Sequence, residues 1–184
     1  MGRKSRIPNM PDELKLMAPA AELEASYRSY VAEVRACDDL LVPWVLGYDA
    51  GDFPALLARL RDASEGKGVP DDFVPHTTFW TVDSADRIVG VVNIRHELNE
   101  SLLLEGGHIG YSIRPSLRGR GLAARQLALA VAEAGRMGIT RVLVVCHKEN
   151  AASARVITVN GGVMENEVFG EEAGGVVQRY WIEL

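Results

Sequence analysis

The stretch HIGYSIRPSLRGRGLA, from His108 to Ala123, decides the fold of this chain. Its first seven residues follow a Gly106-Gly107 break and predict a strand. From 119 to 137 the chain is rich in alanine, with leucine and valine at helical spacing, which predicts a long helix. RGRG, at 118–121, therefore falls in a strand-to-helix loop.

That loop has the composition of a phosphate site. Backbone N–H groups at the start of a helix have no intrahelical partner and sit at the positive end of the helix dipole, so they suit a pyrophosphate. Gly119, Gly121 and Ala123 carry little side chain, while Arg118 and Arg120 add positive charge. A tight turn with solvated arginines is the competing interpretation, and the spacing matches neither a Walker loop nor GxGxxG.

The rest of the chain predicts a mixed order of strands and helices around this unit. RVLVVC, from Arg141 to Cys146, is a continuous apolar run typical of a strand covered on both faces. The other predicted elements are a strand at 14–17, helices at 19–35 and 53–66, strands at 76–82 and 88–96, a short helix led by Asn150, and a closing hairpin of strands 163–169 and 176–182. We expect one domain over 1–184, with a flexible tail at 1–13.

Composition excludes several functional classes. The 184 residues contain 20 Lys+Arg against 25 Asp+Glu, a net charge of -5, so no general affinity for nucleic acid is expected. Cys37 and Cys146 lie far apart and form no Cys/His cluster, which predicts neither a disulfide framework nor a metal site. No apolar run approaches the roughly 18 residues of a membrane span. We expect a cytoplasmic protein that binds no membrane.

The loop and its flanks resemble a known family. Arg118, Gly121 and Ala123 match the pattern Q/R-x-x-G-x-G/A of the GCN5-related N-acetyltransferases (GNAT), and the similarity runs over 77–184, the most recognisable acetyl-CoA-binding core. RHELNE at 95–100 and QRYWIEL at 178–184 are similar to an uncharacterised branch of predicted acetyltransferases. The resemblance implies an α/β (α+β mixed sheet), GNAT-like acyl-CoA N-acyltransferase fold. Its central mixed, mostly antiparallel sheet would be splayed between strands 108–114 and 141–146, with helices on both faces.

The resemblance also implies acetyl-CoA as co-substrate and assigns contacts to it. Ser112 and Ile113 would offer backbone groups to the pantetheine arm, and Asn150 would bind it through its amide, although Asn150 is equally a good helix N-cap. The pyrophosphate would lie against the loop residues Arg118, Gly119, Arg120, Gly121, Leu122 and Ala123.

Departures from the family pattern affect the acid that would protonate the leaving thiolate. Many relatives place a tyrosine seven residues after the asparagine, where this chain has Ile157. Ser153 matches a serine of relatives resembling ribosomal-protein N-terminal acetyltransferases. A contact to the cofactor is favoured over an acid role, because an alcohol is a poor proton donor and a thiolate, with a solution pKa of about 8.5, leaves without much help. Backbone N–H groups at Tyr111 to Ile113 are the candidates for the oxyanion, and Tyr111 is included among the catalytic residues.

The base and the acceptor side have several candidates. His108 stands where the same relatives often carry Glu, and Glu97 and Glu100 follow the preceding strand. A locally bonded histidine, solvated hairpin carboxylates and water-mediated proton removal are the alternatives. The polar run after that strand assigns Arg95, His96 and Asn99 to the acceptor side, although a hydrophilic turn would look similar.

A cysteine and a set of aromatic residues are further candidates for the site. A covalent acyl-cysteine at Cys146 is discounted, because His147 points to the opposite face of the strand. Aromatic residues could form an acceptor wall but are more typical of core: Trp44, Phe53, Phe79, Trp80 and Tyr111.

Three functional hypotheses follow. The first is an N-acetyltransferase in which the amine of a small molecule or peptide N-terminus attacks acetyl-CoA directly in a ternary complex. An acyl-CoA-binding module without catalysis and a purely structural domain are the alternatives. A homodimer is compatible with the fold, with the last strand pairing across the interface.

Overall fold

The computed structural model describes residues 13–37 and 41–184, so residues 1–12 of the predicted tail lie outside the described residues. The elements follow the predicted order. They are β1 Lys15–Met17, α1 Glu24–Arg35, α2 Phe53–Ser64, β2 His76–Val82, β3 Ile88–Arg95, β4 Ile109–Ile113, α3 Leu122–Arg136, β5 Arg141–His147, α4 Ala151–Val159, β6 Val163–Gly170 and β7 Gly175–Glu183. Helix α3 begins at Leu122, three residues later than 119, because Gly119 and Gly121 have left-handed backbones with φ of 73°.

Several short turns were not predicted. Single 3-10 turns cover Trp44–Gly47 and Pro115–Leu117, and a π-helical turn covers Leu102–Gly106 between β3 and β4. A further 3-10 turn, Ala21–Leu23, lies within the helix predicted over 19–35. Turns of this length leave no hydrophobic period in the sequence. Two of them, Trp44–Gly47 and Leu102–Gly106, contribute to the surroundings of the candidate site.

The strands form two antiparallel sheets, ordered β1-β2-β3-β4 and β5-β7-β6. Between β4 and β5 there is no ladder. His108, just before β4, donates its backbone N–H to the carbonyl of Leu143 at 2.7 Å, and the Leu143 N–H donates to Nδ1 of His108 at 2.9 Å. No hydrogen bond joins β4 residues 109–113 to β5 in the described chain, so the predicted splay between these strands is confirmed.

Helices cover both faces of the first sheet. On one face, Trp80 stacks on Tyr27 of α1 with ring centroids 4.7 Å apart, and Val91 belongs to the same core. The opposite face packs Val92 and Ile94 against α3 and α4. We call these the α1/α2 face and the α3/α4 face. Because strand side chains alternate, each position on β2, β3 and β4 is assigned to one of them by its register.

The closing hairpin differs from expectation in one respect. The last strand, β7, pairs with β5 on one side and with β6 on the other, so it is the middle strand of its sheet. It therefore cannot pair across a subunit interface, and the exposed edge is β6. None of the described helices has the length and apolar character that crossing a membrane demands.

Candidate active site

The loop before α3 is built by conformation. Gly121 is the N-cap of α3, with φ of 73° and ψ of 2°, and no side chain caps the helix there. A Cβ at Gly119 or Gly121 would meet nothing within 4 Å, so these glycines supply a left-handed backbone and leave the surface in front of the helix open. The first N–H groups of α3 lack intrahelical partners by the geometry of any α-helix. This arrangement can receive a phosphate.

The two loop arginines brace the loop. Arg118 donates from Nε to the carbonyl of Ile113 at 3.2 Å, and Arg120 donates from Nη2 to the carbonyl of Ser116 at 3.3 Å. Each guanidinium is thus hydrogen-bonded to the backbone just before the loop, and its positive charge lies near the start of α3.

Asn150 lies at the start of α4. Its Oδ1 accepts the Ser153 N–H at 3.0 Å, which makes it the N-cap. Its Nδ2 makes no hydrogen bond within the described residues and is available as a donor. The capping role and a ligand contact are therefore compatible in one side chain.

The backbone register of β4 decides which residues face the gap. The backbone bonds from Arg95 to the His108 carbonyl and from Arg114 to the Val89 carbonyl fix the bonded pairs of the β3–β4 ladder. Since such pairs alternate, Ser112 bonds to β3, whereas the backbone of Tyr111 and Ile113 points towards the gap. The Ser112 backbone, expected to contact the pantetheine arm, is thus bonded to β3, and the Tyr111 backbone faces the gap in its place. The Ser112 side chain is also occupied, because its Oγ lies 2.6 Å from the hydroxyl of Tyr30 on α1.

A tyrosine reaches the mouth of the gap from β4. The hydroxyl of Tyr111 lies 2.9 Å from Oγ of Ser153 on α4, and burial raises the pKa of this phenol to about 12. Burial also raises the pKa of the neighbouring Cys146 thiol. Ile157, at the family's usual tyrosine position, is completely buried in the core. In the sequence, Tyr111 is two residues after Ile109 in a predicted strand, so the two side chains lie on the same face of the sheet.

His108 is a link between the sheets. Its ring is 7% exposed, with Trp181 edge-on at 6.3 Å. Burial, with smaller contributions from the charges of Arg95 and Arg141, lowers its pKa to about 4, so the ring is neutral near pH 7. Because Nδ1 accepts the Leu143 N–H, the ring proton resides on Nε2. Such a ring offers a hydrogen-bond donor at Nε2 and no free lone pair for a proton.

The other candidates, at and after the end of β3, do not all lie on the same face of the sheet. Arg95 lies on the α1/α2 face, where its Nη1 donates to the carbonyls of Gly106 and Gly107 at 3.1 and 3.3 Å. His96 bonds Thr77 at 2.8 Å on the opposite face. Asn99 donates to the Asp72 carbonyl and accepts the Leu102 N–H, so both ends of its amide hold the loop. Of the three acceptor-side candidates, only Arg95 faces α1 and α2.

The carboxylate candidates lie outside the sheet. Glu97 and Glu100 are both exposed, in the segment between β3 and the π-helical turn. Glu97 acts electrostatically on His96 rather than on Arg95. The two carboxylates and Arg95 are therefore not brought together.

Sequence reasoning missed a polar row beside Arg95. Asn93 donates to Thr78 at 3.0 Å and lies 2.8 Å from Nδ1 of His76, while its own Oδ1 is buried without a partner. His76 is the cross-strand partner of Arg95 and lines a cavity of about 320 Å³ together with Trp44 and residues of α2. Polar residues two apart on neighbouring strands were the available signal.

Within residues 13–37 and 41–184, no three His, Cys, Asp or Glu side chains converge so as to hold a metal ion.

Comparisons with known proteins place the chain. A search of curated protein sequences found no match. The fold resembles the microcin self-immunity acetyltransferase MccE in complex with acetyl-CoA and AMP (15% identity, 94% of this chain and 93% of that one, TM-score 0.66). It also resembles RimL, a ribosomal α-N-protein acetyltransferase, in complex with coenzyme A (18%, 94% and 95%, 0.68). A third is a ribosomal-protein alanine acetyltransferase from Vibrio fischeri (17%, 92% and 91%, 0.66).

These similarities are to the fold, since each identity is low. The sequence evidence comes from a family model, described as the acetyltransferase (GNAT) domain, that matches residues 19–163. That match spans most of the chain and includes both walls of the gap, the α3 loop and the start of α4. The chain belongs to the GNAT family of acetyltransferases.

Proposed function

We propose that the protein transfers the acetyl group of acetyl-CoA to an amine by direct attack in a ternary complex. The observation that carries the proposal is the gap between β4 and β5, with the uncapped start of α3 and the Asn150 amide at its mouth. The acceptor is the amine of a small molecule or of a peptide N-terminus.

The residues present fit acetyl-CoA, which supplies an activated thioester. The α3 loop offers backbone N–H groups, with the charges of Arg118 and Arg120, to the pyrophosphate. The main chain of Tyr111 and Ile113 and the Nδ2 of Asn150 offer hydrogen bonds to the amides of the pantetheine arm. Each of these groups faces the gap or its mouth.

Two functions are assigned to Tyr111. Its backbone N–H faces the gap and is the proposed donor to the developing oxyanion. Its phenol, with a pKa of about 12, stays protonated near neutral pH and can donate a proton or a hydrogen bond to the departing thiolate. Ser153, at 2.9 Å, orients that phenol and contacts the cofactor. This arrangement offers a substitute for the tyrosine that Ile157 replaces.

Proton removal from the amine is assigned to water. The Nδ1 bond of His108 leaves that ring without a free lone pair, which argues against His108 as the base. Glu97 is exposed in the segment after β3 and is the proposed terminal acceptor of the proton. On this assignment the enzyme positions its substrates and needs no buried base.

The decisive experiment compares two glycine variants by thermal unfolding with and without acetyl-CoA. Gly121→Glu places bulk and negative charge before α3, whereas Gly138→Glu makes the same change at the other end of α3. Gly138 also has a left-handed backbone, with φ of 87°, and open space around it, so the intrinsic strain is matched. We expect a rise of several degrees for the wild type and Gly138→Glu and none for Gly121→Glu.

The same experiment separates the alternatives. An acyl-CoA-binding module without catalysis, the hypothesis favoured by Ile157, predicts a thermal shift but no thiol release with any amine. A structural domain predicts neither shift nor thiol release. Absence of a shift in folded wild-type protein at millimolar acetyl-CoA would contradict the proposed function.

A further inference from the structure

Arg95 carries a partly buried cation that has no counter-anion among the described residues. Its Nε is fully buried and has no hydrogen-bond partner, and its Nη2 makes no hydrogen bond to any described residue. Only Nη1 is satisfied, by the carbonyls of Gly106 and Gly107. Two of the three guanidinium nitrogens are thus unused in the free protein.

No acidic side chain of the described residues compensates this charge. Burial alone lowers the pKa of Arg95, to about 10, with no contribution from any carboxylate. The titratable groups that face it are His76 and His108, and burial, with the Arg95 charge as the next cause, lowers the pKa of each to about 4. Both rings are therefore neutral near pH 7, and Arg95 keeps an unbalanced positive charge.

Another arginine of the same chain shows the contrast. The buried Arg114 forms an ion pair with Glu33 at 3.0 Å and further bonds to Ile88, Ser29 and Ser26. A buried charge normally has such a partner, because removing an ion from water without compensation is costly. Among the described residues, none supplies such a partner to Arg95.

The position of Arg95 relates this requirement to the acceptor. The guanidinium lies over Gly110, where a Cβ would be 3.4 Å from Nη1 and 3.6 Å from Nη2. Gly110 is two residues beyond His108, the last residue joined to β5, so Arg95 lies where the gap begins to open. It faces α1 and α2, and Pro43 lies on the other side of the same space.

We propose that Arg95 binds a carboxylate of the acceptor, so that the substrate class is amines bearing a carboxylate, such as amino acids or short acidic peptides. This inference rests on the proposed function, since it concerns the acceptor of the same site. A guanidinium fork matches a carboxylate in two parallel hydrogen bonds, which the free Nε and Nη2 can supply. The same charge disfavours polyamines, which would place cations beside it.

The test uses pairs of acceptors that differ only in the carboxylate. Amino acids and dipeptides are compared with their carboxamides at saturating acetyl-CoA, with thiol release as readout. We expect kcat/KM of the wild type to be about ten- to a hundredfold higher for the acid of each productive pair. In Arg95→Gln we expect the acid-to-amide ratio to fall to about one.

Two variants control for structure. Arg61→Gln removes an exposed charge on α2 and is expected to leave the acid-to-amide ratio unchanged. Arg95→Lys keeps the charge but loses the fork, so part of the preference should survive. The inference is overturned if the kcat/KM of wild type for carboxamides or diamines equals its kcat/KM for the acids. It is equally overturned if folded Arg95→Gln keeps the wild-type ratio, as a purely structural arginine would.

A binding measurement separates this inference from the proposed function. In the presence of coenzyme A, N-acetylated amino acids should raise the melting temperature of wild type, while their carboxamides and the variant Arg95→Gln show no rise. If no amine is acetylated yet this difference is seen, acetyl transfer fails and the carboxylate site stands. If amines are acetylated without the difference, the carboxylate site fails and acetyl transfer stands.

Discussion

The hydroxyl of Tyr111 lies 2.9 Å from the hydroxyl of Ser153, a contact that joins β4 to α4 at the mouth of the gap. The contact therefore connects β4 to the helix that follows β5. The phenol occupies the mouth of the gap in a chain whose usual tyrosine position holds Ile157. Catalysis should depend on this hydroxyl.

Replacing that phenol tests its role directly. Tyr111→Phe should lower kcat by about ten- to a hundredfold with little change in the KM for acetyl-CoA, because a donor to the leaving thiolate acts mainly in the transition state. Steady-state thiol release measures both constants. Tyr30→Phe is the control, since the Tyr30 hydroxyl bonds Ser112 on the opposite face. An unchanged kcat in Tyr111→Phe would remove the phenol from the mechanism.

The stability of the protein should fall in mild acid, partly through His108. Its pKa is lowered from 6.5 to about 4, chiefly by burial, so the folded state binds this proton less readily than the unfolded chain. The contribution is complete above about pH 6.5 and is lost as the pH falls from there towards 4. From the size of the shift, the loss between about pH 7 and about pH 5 is about 2 kcal/mol.

The variant for this prediction is His108→Asn, whose side-chain oxygen can still accept the Leu143 N–H. Urea unfolding at the two pH values should give a difference in unfolding free energy about 2 kcal/mol smaller than in wild type. Equal differences in both proteins would show that this ring does not sense the pH.

Gly107 should be among the least replaceable residues of the sheet. Its φ is 65°, and a Cβ would lie 2.7 Å from the Leu143 carbonyl, the acceptor of the bond that holds β4 to β5. Gly107→Ala should therefore lower the unfolding free energy by about 2–4 kcal/mol in urea titrations. Gly68→Ala is matched in φ, at 63°, but meets nothing within 4 Å, and should cost about 1 kcal/mol. Equal costs would mean that the crowding at Leu143 relaxes.

The ion pair between Arg114 and Glu33 should matter more than a second pair of the same length, because here the arginine is the buried partner. Arg114→Met removes the cation beside Glu33, which keeps only its bond from the Ser116 N–H, and should cost about 3 kcal/mol of unfolding free energy. Arg87 pairs with the buried Asp83 at the same 3.0 Å, but the Arg87 side chain is 48% exposed. Because the backbone N–H groups of Ala85 and Arg87 still bond to Asp83 without that side chain, Arg87→Met should cost about 1 kcal/mol or less. Chemical denaturation of both variants checks the prediction, and similar losses would contradict it.

The sequence predicted the elements and their order because their signals are local. The apolar period of α3, the continuous run of β5 and the glycines before α3 each determine structure within a few residues. The splay was implied by family resemblance rather than by any local pattern. The strands separate beyond the hydrogen bonds between His108 and Leu143, two residues that are 35 positions apart in sequence.

The site was harder to predict, since its properties depend on register and on distant partners. Which of Tyr111 and Ser112 turns its backbone to the gap is decided by pairing with β3. Glu97 and Glu100 are close to Arg95 in sequence, yet neither contributes to the pKa of that arginine. A missing counter-charge becomes visible only when all surrounding side chains are known.

Because β4 and β5 form no ladder, the two sheets are joined across the gap by hydrogen bonds at one end only, between His108 and Leu143. Backbone groups of Tyr111 and Ile113 face the gap between β4 and β5, so an extended ligand there would form hydrogen bonds with the edge of the first sheet. In the free protein we expect the two sheets to unfold locally as separate units, and ligand binding should make them unfold as one cooperative unit. Amide hydrogen exchange along β4 and β5 would then slow together when acetyl-CoA is added.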